Sequence, residues 1–194
     1  MRLRILGIVV FAIAPSLAFA QSGRPIAGGS LGVAAPASTL GERADSSVAL
    51  DGFGIWPILG SWGFRVDAGL DRFRLSQGGS ADCSVHGFDC HDRVGHVDAG
   101  LEFTANRPGL RPYGFVEIGL YNFRQEFASG SALASTSGTN WGGGFGGGVQ
   151  ADVAENWGVG AALSTRFWRQ GDASATQTYW FLEPAAFLYY RFRR

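Results

Sequence analysis

Trp62-Gly-Phe-Arg-Val-Asp-Ala-Gly-Leu-Asp-Arg-Phe-Arg-Leu75 alternates almost step by step between apolar and polar residues. In an extended chain Phe64, Val66, Ala68 and Leu70 fall on one face, and Arg65, Asp67, Gly69 and Asp71 on the other. A helix would scatter both sets around its axis, so this stretch reads as a strand. Its charged face is as regular as its apolar one. Such a strand suits a wall with lipid on one side and a polar interior on the other.

The same period recurs on both sides of this segment. Further strands are predicted at about Ile26–Ala35, Ser46–Trp56, Arg93–Ala105, Arg111–Gln125, Asn140–Asp152, Asn156–Arg169 and Thr178–Phe192. In the fourth, Val97, Ala99, Leu101 and Phe103 oppose His96, Asp98, Gly100 and Glu102. In the fifth, Val116, Ile118 and Leu120 oppose Glu117, Gly119 and Tyr121. In the last, Leu182, Ala186 and Leu188 oppose Glu183, Phe187, Tyr189 and Arg191. Strands one, two and six alternate weakly, because Gly and Ala blur the two faces.

The gaps alternate as well. Long polar gaps, Pro36–Asp45, Ser76–Asp92, Glu126–Thr139 and Gln170–Gln177, take turns with short ones at Pro57–Ser61, Asn106–Gly109 and Val153–Glu155. An even strand number with this rhythm places both termini at the short-turn end, which faces the periplasm in outer-membrane barrels. The predicted fold is all-β: an eight-stranded antiparallel up-and-down transmembrane β-barrel. Pairing of strand one with strand eight would leave no open edge, which a bilayer requires.

The N-terminus supplies the compartment. Arg2 and Arg4 precede an apolar run, Ile5 to Leu17, that is interrupted by Pro15 and followed by small residues at Ala18-Phe19-Ala20. This is the pattern of a cleaved signal peptide over residues 1–20, with residues 21–194 forming a single barrel domain. The run is shorter than the ~20 residues of a spanning helix. No later segment is apolar enough to be one.

Composition agrees. The chain has 30 Gly, 15 Phe, 6 Trp and 5 Tyr, and all 16 of its basic residues are Arg, against 16 acidic ones. That balance excludes a nucleic-acid binder, which would carry a basic surface. Trp56, Trp62, Trp157, Tyr190 and Phe192 gather at short-turn ends, and Phe73, Phe123, Trp141, Phe167 and Tyr179 at long-loop ends; both groups are expected to form interfacial girdles. A soluble lipocalin-like barrel would reverse the faces, with apolar residues inside. Export and the girdles favour lipid outside.

On these features the chain resembles the small eight-stranded outer-membrane proteins: the OmpA transmembrane domain, OmpX and the OmpW- or opacity-type barrels. The resemblance spans Ile26–Phe192. Its most specific piece is Leu188, Tyr190 and Phe192 alternating into a terminal aromatic, which looks like the signal read by the barrel-assembly machinery. Two departures stand out. Arg193-Arg194 follow the aromatic, and Pro184 sits on an outward position of strand eight, where a bulge or an unmade ladder bond is expected.

Four constellations bear on chemistry. Arg65, Asp67, Asp71, His96, Asp98, Glu102, Glu117, Arg166, Glu183 and Arg191 are expected to face the lumen as a charge network. An eight-stranded lumen is just wide enough for side chains, so these charges must pair. The acids outnumber the bases, so some should be hydrated, protonated or bonded to hydroxyls. Cys83 and Cys90, in the longest gap, are expected to form a disulfide in an exported chain; a zinc site from Cys83, His86, Cys90 and His91 is the alternative. Gly142–Gly148 lacks the Lys and helix of a phosphate loop and reads as space for large inward neighbours such as Arg166 and Trp168. His96-Val-Asp98 with Ser164 has the residue types of a hydrolytic triad, but nothing in the sequence brings them together. The lipid A deacylases among such barrels carry His-x-Ser, where this chain has Asp98.

These observations predict a monomeric, non-enzymatic barrel with no cofactor and no metal. Its role would be structural or adhesive, through loops contacting lipopolysaccharide, host factors or other envelope proteins. A narrow pore for small solutes is the second reading. A lipid A-modifying enzyme and a soluble binder rank below it.

Overall fold

The computed structural model describes residues 23–37, 44–74, 89–105, 107–129, 132–171 and 176–193. It contains eight strands: β1 (Ile26–Ala37), β2 (Ser47–Leu59), β3 (Trp62–Arg74), β4 (Asp89–Thr104), β5 (Arg111–Ser129), β6 (Ala132–Asp152), β7 (Trp157–Gly171) and β8 (Thr176–Arg191). Each pairs antiparallel with its sequence neighbours, and β1 pairs with β8, from Ile26↔Arg191 to Ala37↔Trp180. The result is a closed barrel in strict up-and-down order.

The strands run further than apolar alternation indicates. Most of the expected loop Glu126–Thr139 is strand: β5 and β6 stay in register from Asn122↔Thr139 out to Ser129↔Ala132. Beyond the membrane a hairpin needs only backbone pairing, so Ser, Thr and Ala continue a ladder that carries no alternation signal. For the same reason β4 starts at Asp89 rather than Arg93. At the opposite end β2 passes Pro57 through a register shift and turns at Gly60, whose φ of 57° is open to glycine at little cost.

Side-chain burial assigns the faces. Leu31, Val48, Leu50, Val116, Ile118, Leu163 and Trp141 are well exposed on the outer wall. An apolar wall of this extent belongs in hydrocarbon, since monomers in water rarely expose such patches. The large inner side chains are mostly charged or aromatic, with small residues between them. Of the expected outer girdle, Trp141 is exposed and Phe167 packs with Trp180 at 4.9 Å. Phe73, Phe123 and Tyr179 are a correction: Phe73 is fully buried in the interior, and the other two pack against the same inner cluster. Closeness to a strand end indicated depth correctly, but parity sets the face, and Phe73 shares its parity with Asp71.

At Pro184 the ladder is interrupted on one side only. β8 keeps Leu163↔Pro184 with β7, whereas no pairing joins Val33 and Ala34 of β1 to Pro184 and Glu183. A missing N–H accounts for the gap.

Candidate functional site

The interior is layered. Toward the short-turn end Phe53, Ile55, Tyr113, Phe115, Phe187 and Tyr189 form one apolar cluster. Phe187 meets Phe53 edge-on at 5.6 Å and Tyr113 at 5.9 Å. Toward the long-loop end Phe73, Val94, Tyr121, Trp168 and Phe181 form another. There the rings of Tyr121, Trp168 and Tyr179 stack in sequence at 5.9 and 5.3 Å. Charged groups fill the space between.

Two guanidinium groups organise that middle layer. Arg166, on β7, donates from Nη1 to Asp98 and to Glu117, each at 3.0 Å, and from Nε to Glu183 at 3.1 Å. Its Nη2 lies 3.5 Å from Asp67. Arg65, on β3, donates from Nε to Asp67 at 2.6 Å and from Nη1 to Glu102 at 2.8 Å. The Arg65 guanidinium also lies between the rings of Phe53 and Phe115, 4.8 and 4.5 Å from their centroids. Such a sandwich suits a planar, delocalised cation and would suit an ammonium less well. A residue opposite Arg166 has to be small: Gly144 pairs with it in register, and a Cβ built there would stand 3.0 Å from Glu117 Oε1.

His96 joins the network at both ring nitrogens. Nδ1 lies 2.8 Å from Asp98 and Nε2 lies 3.0 Å from Asp51. Hydroxyls take up further carboxylate oxygens: Ser30 donates to Asp51, Thr104 to Glu102 and Tyr121 to Asp98. Asp71 is fully buried in the upper layer, and neither of its carboxyl oxygens has a hydrogen-bond partner among the described residues. A pocket of about 20 Å³ beside Arg65, Asp67, Arg166 and Glu183 has room for about one water.

Arg65, Asp67, His96, Asp98, Glu102, Glu117, Arg166 and Glu183 therefore stand together. Arg191 does not join them. It lies at the short-turn mouth, where Arg191 and Arg111 both donate to Asp152, on the rim of an open vestibule of about 770 Å³. Asp51 belongs to the network although strand two showed no clear face; its alternation with Phe53 and Ile55 was the available signal. The triad geometry is absent: the Ser164 hydroxyl donates to the Glu183 carbonyl, and carboxylates engage both nitrogens of His96. Cys83 lies outside the described residues, as does the side chain of Cys90, so the expected disulfide and the alternative zinc ligands fall there too. The expected assembly signal lies at the barrel's closing seam. Leu188 and Phe192 are exposed, and Tyr190 packs between Trp157 at 5.1 Å and Phe192 at 5.2 Å.

Residues 5–179 match the family model described as an outer membrane protein beta-barrel domain. Among solved structures, Neisserial surface protein A is similar with a TM-score of 0.62 at 17% identity, over 88% of this chain and 98% of that one. A major outer membrane protein from Thermus thermophilus gives 0.64 at 12% identity, over 89% and 100%. Outer membrane protein AlkL in DMPC lipid bilayers gives 0.50 at 15%, over 90% and 92%. At these identities the likeness concerns the fold. Comparison with the curated proteins gives no match.

Proposed function

The chain belongs to the outer membrane protein beta-barrel family and resides in the bacterial outer membrane, and from that footing we propose that it is a non-enzymatic barrel whose work is structural and interactive. The observation that carries this reading is the filled lumen: two aromatic layers enclose a charge layer whose members are tied across the barrel by Arg65 and Arg166. Such an interior holds the wall in register and leaves contact with other molecules to the long-loop end. Candidate contacts are lipopolysaccharide and a host or envelope protein. In this reading the chain is exported behind residues 1–20, assembled through Leu188, Tyr190 and Phe192, stabilised by a Cys83–Cys90 disulfide, and monomeric. The engagement of His96 and Ser164 by other partners favours a role without catalysis.

The test is conductance of the refolded barrel in planar bilayers, together with lipid A composition after overexpression. Absence of discrete channel events and unaltered lipid A fit the proposal. Steady single-channel currents would favour the narrow-pore reading. Released or added acyl chains would indicate an enzyme.

A further inference from the structure

The outer wall carries its charge in one place. Among outward strand positions with described side chains, the charged residues are Arg72, Arg93, Arg124 and Arg169, all in the long-loop halves of their strands. Three of them are neighbours. Arg72 of β3 pairs in register with Arg93 of β4, and Arg93 pairs with Arg124 of β5. Strands lie about 4.7–4.9 Å apart, so three arginine side chains leave the wall at one level from adjacent strands. Arg72 and Arg124 are exposed and Arg93 is half-buried.

Like charges directly opposite on adjacent strands are destabilising, and this arrangement places two such pairs in succession. Arg93 and Arg124 also keep interactions within the chain. An anion from outside would bridge the row and offset the remaining repulsion. The level beneath holds Leu70, Gly95, Asn122 and Thr139, with Asn122 donating to the Thr139 hydroxyl at 2.9 Å. The level below that, Ala68, Val97, Leu120 and Trp141, is exposed and apolar. From membrane to exterior the wall thus runs hydrocarbon, polar hydroxyl and amide, then guanidinium. A phosphorylated glycolipid presents the same sequence: acyl chain, sugar, phosphate. Arg matches phosphate with a bidentate fork of donors, and clustered basic residues at a membrane surface recognise anionic head groups.

We propose that Arg72, Arg93 and Arg124 form a binding site for the phosphates of an outer-leaflet glycolipid, seated on the face of β3–β5. The site rests on the barrel's place in the outer membrane and is independent of whether the loops bind a protein or the lumen conducts. Arg169 stands on β7, across the barrel and outside the row, and serves as an internal control for unspecific interfacial charge.

The experiment is native mass spectrometry of the refolded barrel with lipid A, dephosphorylated lipid A or inorganic phosphate, each variant first checked for the gel mobility of a folded barrel. Lipid A should remain bound and the dephosphorylated form should not. Arg93→Gln is expected to weaken retention about fivefold, and the triple Arg72→Gln, Arg93→Gln, Arg124→Gln about a hundredfold. Arg169→Gln should leave it unchanged, and Arg93→Lys should recover part of it. Equal retention of both lipid forms, an unaffected triple variant, or an equal loss in Arg169→Gln would overturn the site. Displacement of lipid A by inorganic phosphate would overturn the glycolipid assignment. If the triple variant does not fold, the single variants decide.

Discussion

Arg166 Nη1 stands 3.0 Å from Glu117 Oε1, a contact that reaches from β7 to β5 past the glycines of β6. The Arg166 side chain also serves Asp98, Glu183 and Asp67 and reaches Asp51 at 3.9 Å, so one cation faces five buried carboxylates. Removing one partner of a buried ionic network costs about 3–5 kcal/mol, because the other charges stay behind. Arg166→Met should therefore lower the unfolding free energy, read from guanidinium titration of the micelle-bound barrel, by an amount in that range. Glu117→Gln keeps a hydrogen-bonding group and removes one of several negative charges, so its effect should be clearly smaller. An Arg166→Met barrel as stable as the parent would mean that the network does not hold the wall.

The upper layer predicts a gain of conduction. Trp168 and Phe181 are fully buried and meet at 6.1 Å, closing the long-loop end above the charge layer. The double variant Trp168→Ala, Phe181→Ala removes two large rings from that layer. Eight buried carboxylates, Asp51, Asp67, Asp71, Asp92, Asp98, Glu102, Glu117 and Glu183, face the lumen with Arg65, Arg166 and His96. Any current through the opened barrel should then favour cations. The measurement is the reversal potential in a salt gradient, with the parent protein recorded under the same conditions. Anion preference would contradict the acidic interior.

The wall was legible in the sequence because β3, β4 and β5 alternate apolar and charged side chains through the membrane. Arg65, Asp67, Asp98 and Glu117 declared their face by parity alone. Asp51 did not, because Gly52 and Gly54 interrupt the outer apolar row of β2 after Val48 and Leu50. The aromatic layers were harder to read. Phe73 sits at the depth of a girdle residue, but it shares the inward parity of Asp71 and stands opposite Asp92 on β4. Nor could periodicity show that Arg72, Arg93 and Arg124 share one level, since register across strands is set by the turns and by the whole ladder. The extension of β5 and β6 carried no signal because its Ser, Thr, Ala and charged residues do not alternate between apolar and polar.

Small residues opposite large ones predict a contrast between the two faces of the wall. A Cβ at Gly142 would press on the Phe167 carbonyl and the Tyr121 ring, in a layer already filled by Trp168. Overpacking of this kind costs about 1–3 kcal/mol. At Gly52 the nearest atom to a Cβ would be 3.9 Å away, with lipid beyond. Gly142→Ala should lower the unfolding free energy, while Gly52→Ala should leave it within about 0.5 kcal/mol of the parent, as surface substitutions usually do. The two free energies, measured in the same micelles, test whether space in the lumen limits stability.

Pro184 predicts a stabilising substitution. The Glu183 carbonyl accepts the Ser164 hydroxyl of β7, so by alternation the Pro184 backbone faces β1, where the ladder lapses at Val33 and Ala34. A proline offers no N–H there. Pro184→Ala supplies one, and a completed bond contributes about 1 kcal/mol. The gain is offset in part by the added freedom of the unfolded chain, worth about 0.4–1 kcal/mol. The net change in stability should therefore be small and positive or near zero, whereas hydrogen exchange at Val33, the residue opposite Pro184, should slow distinctly. Unchanged exchange at that amide would show that something other than the missing donor parts β1 from β8.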